Sequence, residues 1–100
     1  MPHTYRISLT HVSDHRGNPV QLPICEFKFT NHDDLGKIIE RATRNAIVPE
    51  KNIEAFCLGL KLLTEVVMEH RDKPAFAEFW ISLGSFIRSI KHTETSTPEN

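Results

Sequence analysis

The chain has 100 residues, of which 39% are hydrophobic and 25% charged, with a net charge of −1. That length makes one domain and buries roughly two-thirds of the unfolded chain's surface, enough for one core without staples. The near-neutral charge offers no large field to steer nucleic acid or an anionic membrane. No apolar run approaches the ~20 residues of a membrane span, and Met1-Pro2-His3-Thr4 has neither the basic start nor the apolar stretch of a signal peptide.

Tyr5, Ile7 and Leu9 alternate with Arg6, Ser8 and Thr10, which predicts a half-buried strand over Thr4 to Val12. Asp14 to Pro19, with Gly17 and Asn18, reads as a turn. A second strand runs on to Thr30, but its apolar phase slips: Val20, Leu22 and Ile24 are even, while Cys25, Phe27 and Phe29 are odd. Pro23 lies beside the slip. A proline cannot donate to a ladder, so the pattern predicts an edge, a bulge or a late strand start.

Between Thr30 and Leu35 the period changes from that of a strand to that of a helix. Leu35, Ile38, Ile39, Ala42 and Ala46 predict a first helix over about His32 to Asn45. Asn31 is the expected N-cap, with Asp33 and Asp34 facing the positive end of the dipole. A second helix covers about Asn52 to His70, with Asn52 a candidate cap. Ile53, Phe56, Cys57, Leu60, Leu63 and Val67 form one stripe on it; Ala55, Leu58, Leu62 and Val66 form another on nearly the opposite side. A helix apolar around most of its girth needs cover on two sides. It is either the central helix or a subunit contact. A third helix over about Pro74 to Lys91 carries a strong aromatic stripe.

The order of elements predicts an α+β fold: an N-terminal β-hairpin followed by three α-helices, with one layer of helices packed on the hairpin. The domain spans 1–92, and the polar stretch 93–100 is an expected disordered tail. The expected core is Leu60, Leu63, Phe79, Trp80, Leu83 and Phe86. Cys25 and Cys57 both fall on apolar faces and read as buried free thiols of a cytosolic protein.

Candidate chemistry is sparse. His32-Asp33-Asp34 is the densest polar cluster and could serve as a metal or acid–base site, with His70-Arg71 as a further polar candidate. Consecutive residues diverge on a helix, however, and a helix start accounts for the carboxylates. The six histidines, His3, His11, His15, His32, His70 and His92, form no His-x-x-x-His pair, and no Cys-x-x-Cys occurs. No nucleophile elbow, phosphate loop or dinucleotide fingerprint is present. Cys57 lies on an apolar stripe and reads as inert. Lys37, Arg41 and Arg44 form a basic stripe best read as a solvated face. Gly36, Gly59 and Gly84 each sit inside an expected helix at ~1 kcal/mol against alanine; close packing within the chain is the expected reason.

Several short segments, in order, carry a resemblance. They are Tyr5-Arg6-Ile7, Phe27, Asn31-His32-Asp33-Asp34-Leu35, Leu58-Gly59-Leu60-Lys61-Leu62, Glu65-Val66, His70-Arg71 and Phe86-Ile87. Over about Tyr5 to Lys91 the chain resembles a family of small Gram-negative bacterial proteins known only as a domain of unknown function. The resemblance implies a bacterial, cytoplasmic α+β domain and supplies no catalytic residues.

The leading expectation is a non-enzymatic interaction module, a homodimer or the receiver of a protein partner, using Leu58, Leu62 and Val66. The alternative is a small-ligand or metal-dependent enzyme built on His32, Asp33 and Asp34. No cofactor or metal is expected, nucleic-acid binding through the first helix ranks last, and no membrane association is expected.

Overall fold

The computed structural model describes the backbone of residues 1–95. Strand β1 spans His3–Ser13 and β2 spans Pro19–Asn31; helices α1, α2 and α3 span Leu35–Asn45, Ile53–Glu69 and Pro74–Thr95. A short 3-10 turn, Glu50–Asn52, precedes α2. An antiparallel hairpin followed by three helices is the α+β order expected. Helix α3 runs on to Thr95, past the expected end at Lys91; residues 96–100 of the expected tail lie outside the described residues. The chain divides into two units, Met1–Asp34 and a helical unit beginning at Leu35.

In the hairpin unit, Tyr5 faces Phe29, Ile7 faces Phe27 and Leu9 faces Cys25. Strand alternation therefore places these six side chains on one side. Beyond Leu9 the pairing jumps from Cys25 to Pro23, leaving Ile24 as an extra residue. This bulge is the physical origin of the phase slip: one inserted residue flips the parity of everything before it. A second irregularity lies between His11 and Ser13, opposite a stretch in which Gln21 has φ 58. The connecting turn is built on Asp14. Its Oδ1 accepts the N–H groups of Arg16 and Asn18, both at 2.9 Å. Asp14 N–H donates to Asn18 O at 2.9 Å, and Gly17 N–H donates to Asp14 O at 3.0 Å. Gly17 sits at φ 88, a conformation open to glycine at little cost.

Helix α1 begins at Leu35, three residues later than expected. Asn31 does not cap it: Asn31 Oδ1 accepts the Asp33 N–H at 2.8 Å in a local turn. Asp34 instead occupies the position before the first helical residue. At the other end Ala46 takes φ 50. Ala46 N–H donates to Thr43 O at 3.3 Å and Ile47 N–H to Ala42 O at 3.4 Å, the paired bonds of a Schellman motif. The residue at the left-handed position is an alanine where glycine is usual.

Asn52 stands at the N-cap of α2, but its side chain makes no capping bond; its N–H closes the preceding turn onto Pro49 O at 2.8 Å. Both α1 and α3 pack against α2, which is the central helix. Ala42, Ile53 and Cys57 form the core, with Ile38, Ile39, Ile47, Val48 and Phe56 packed around them. Val67 and Leu83 are also buried.

The expected core needs correction. Of its six members only Leu83 is buried; Leu60 and Trp80 are half-buried, while Leu63, Phe79 and Phe86 are each more than 40% exposed. A helical stripe reports which side chains share a face, not whether another element covers it. In this unit the cover reaches the side of α2 that holds Ile53, Cys57 and Val67, and the flank holding Leu63 and Val66 stays open. Cys25 is likewise exposed rather than buried, whereas Cys57 is buried; neither is part of a disulfide.

Candidate functional site

The polar cluster at the end of the hairpin unit is a joint. The turn closed by Asn31 Oδ1 orients Asp33, whose carbonyl oxygen accepts the Tyr5 hydroxyl at 2.9 Å. This bond ties the end of β2 back onto β1. His32 and Asp33 are exposed and Asp34 is half-buried. Among the described residues, no three His, Cys, Asp or Glu side chains come together as they would around a metal ion.

His70 and Arg71, in the helical unit, close the C-terminus of α2. His70 N–H donates to Val67 O at 3.2 Å. Arg71 Nη1 donates to Met68 O at 2.8 Å, placing a cation at the negative end of the helix. The same guanidinium lies 5.9 Å from the Trp80 ring centroid, and the His70 ring lies 5.8 Å from that of Phe76. Both residues thus fasten the α2–α3 turn, Arg71 through its guanidinium and His70 through its backbone N–H and its ring contact with Phe76.

At the far end of the same helix pair lies a cavity of about 320 Å³, lined by Ile47, Val48, Phe56, Phe86 and Ile90, with Asn45 and Ser89 among its polar members. Phe56 and Phe86 meet edge to face, with centroids 6.3 Å apart. The lining is mostly apolar, and among the described residues no carboxylate, imidazole or thiol lies on it. It could seat an apolar group, and beside the Ser89 hydroxyl its described lining offers no base to activate one.

Exposed apolar surface is the most distinctive property of both units. On the hairpin, Leu9 is 53% exposed and Phe27 45%, with Leu22 and Ile24 more open still. On the helices, Val66 and Ile81 join Leu63, Phe79 and Phe86. Leu58 and Leu62, expected on the outward stripe of α2, are half-buried; Val66, the third member, is exposed. Among the described residues, a Cβ added at Gly59, on this helix, would meet nothing within 4 Å, and one at Gly84 would meet the tip of Arg88 at 3.4 Å. Close packing within the chain, the expected reason for glycine here, does not hold for Gly59. Leu22 pairs with His11, two residues on from the Leu9–Cys25 pair, so the bulge returns it to the face of Phe27; its exposure, like that of Ile24, has no sign in the sequence.

Among the described residues, no helix is long and apolar enough to cross a membrane. The chain is similar to a protein of unknown function from Pectobacterium atrosepticum whose crystal structure is solved. The two are 32% identical, with a TM-score of 0.78 over 92% of this chain and 99% of that one. No curated protein matches the chain. The family model for DUF3861, a domain of unknown function with a solved structure, matches residues 3–92, and the chain belongs to that family.

Proposed function

We propose that this protein is a non-catalytic, bacterial interaction module that self-associates. The observation that carries this reading is the set of large apolar side chains left in water. Leu9, Leu22, Ile24 and Phe27 on the hairpin each keep more than two-fifths of their surface exposed, as do Leu63, Val66 and Phe86 on the helices. Scattered exposed leucines are normal, but runs of this kind mark interaction surfaces. Of the polar candidates, Asp33 takes part in a local turn through its N–H, and Arg71 closes the end of α2. The exposed free thiol of Cys25 suits a reducing compartment, which supports residence in the cytoplasm.

A second copy of the chain is the simplest partner, because soluble homo-oligomers most often close on a two-fold axis. Sedimentation velocity across a concentration series tests the proposal. Self-association gives a weight-average mass rising above 11.5 kDa with concentration. A mass fixed at the single-chain value, together with unchanged tryptophan and thiol environments on dilution, overturns it.

A further inference from the structure

Resting on the self-association proposed above, we infer that the outer edge of β1 is the pairing surface, and that two copies join their hairpins antiparallel through a two-fold axis at Ser8. Among the described residues the sheet has two strands, so each has one edge with no strand beside it. Along an open edge every second residue turns its N–H and C=O outward, ready for another strand. A lone two-stranded sheet is marginal in water, and a third and fourth strand relieve that.

The two edges are not equivalent. Strand β2 carries Pro19 and Pro23, both register irregularities and the positive φ of Gln21. Prolines and bulges are the devices by which natural sheets blunt an edge against further pairing. Strand β1 has none of them. Its 11 residues contain no proline, glycine or lysine and a single arginine. They are rich in the β-branched and aromatic types that favour strands.

The strand is also self-complementary. Ser8 is its midpoint, and a two-fold there opposes Ile7 with the partner's Leu9, Tyr5 with the partner's His11, and Arg6 with the partner's Thr10. No like charges meet, and the apolar row of Tyr5, Ile7 and Leu9 continues across the axis. A two-fold at Arg6 would instead set two guanidinium groups against each other, which is destabilising. The paired length is about 37 Å. The buried area is on the order of 1,000 Å², at the weak end of specific interfaces.

Cysteine cross-linking tests this. With Cys25→Ser removing the exposed native thiol, single cysteines are placed by Arg6→Cys, Ser8→Cys, Thr10→Cys and, on the β2 edge, Lys28→Cys. Opposed residues of an antiparallel pair lie within disulfide reach. Under oxidised glutathione, Ser8→Cys alone gives a covalent dimer. Arg6→Cys and Thr10→Cys cross-link only when mixed, and Lys28→Cys stays monomeric. A second pair of variants does not depend on thiols: Ser8→Arg and Ser8→Glu each weaken self-association at least tenfold, and an equimolar mixture restores it. If the wild type is dimeric but Ser8→Cys does not cross-link, or Lys28→Cys does, the β1 edge is overturned while self-association stands. A wild type that stays monomeric overturns both.

Discussion

The C-terminus of α1 makes a sharp prediction, because it places a side chain where the backbone disfavours one. Ala46 holds φ 50 so that its own N–H and that of Ile47 can satisfy the carbonyls of Thr43 and Ala42. An L residue in the left-handed region costs about 1–2 kcal/mol, a strain glycine escapes. Glycine gives back about 0.4–1 kcal/mol through the greater freedom of the unfolded chain. Ala46 is exposed, so removing its methyl forfeits little packing. The balance is a gain of about 0.5–1 kcal/mol for Ala46→Gly, or a rise in Tm of about 2–8 °C for a domain of this size. Ala46→Val, with a β-branched side chain in the same conformation, should lower stability. Urea and thermal unfolding followed by far-UV circular dichroism measure both. If Ala46→Gly is neutral or destabilising while Ala46→Val is tolerated, α1 does not end in the left-handed turn described here.

Four further outcomes follow from particular contacts. Ile53 is 2% exposed in the α1–α2 core, so Ile53→Ala should cost about 2–5 kcal/mol in urea unfolding, whereas Leu63→Ala, at an open position, should cost far less in the dilute protein. One thiol, Cys25, should react at once with a chromogenic disulfide in the native state and the other, Cys57, only on unfolding; two fast equivalents would place Cys57 at the surface. The Asp14 carboxyl is held below its ordinary 3.8, chiefly by the backbone N–H groups of Asn18 and Arg16. Because its folded value is depressed, its contribution is present at neutral pH and lost as pH falls through that lowered value; carboxyl NMR should find Asp14 titrating below the ordinary 3.8, and Asp14→Ala should flatten the acid limb of the stability curve. Replacing Asp33 and Asp34 together by Asn should lower stability by about 0.3–1 kcal/mol through the lost charge at the start of α1 and leave self-association intact; a lost ligand with unchanged stability would make the cluster a site.

How far the sequence carried each feature depended on how local its cause was. The Asp14–Gly17 turn was legible because its chemistry lies within five residues, with an acceptor at one end and a glycine for the positive φ. The bulge at Ile24 was legible as a break in parity, and the hairpin and helices as periods. The helix ends were less so. Asn31 looked like a cap, but it lies four residues before α1 begins and its side chain closes a local turn onto Asp33. Ala46 gave no sign of a left-handed cap, because alanine is not a residue that signals one. The core failed for a different reason. Periodicity grouped Leu63 with Leu60 and Phe79 with Leu83 correctly, but which half of each stripe is covered depends on where the neighbouring helix lies. That is a long-range fact no spacing encodes. The polar candidates His32, His70 and Arg71 looked chemical by composition alone; the Arg71 bond to the end of α2 and the His70 ring contact with Phe76 appear only once the backbone is in place.

Sedimentation equilibrium of the wild-type protein at roughly tens to hundreds of micromolar addresses the central claim most directly. The exposed apolar rows on β1, β2 and α2 predict a reversible monomer–dimer equilibrium whose upper limit is twice 11.5 kDa. A single species at 11.5 kDa throughout that range, with no change in mass on raising the salt, would contradict it.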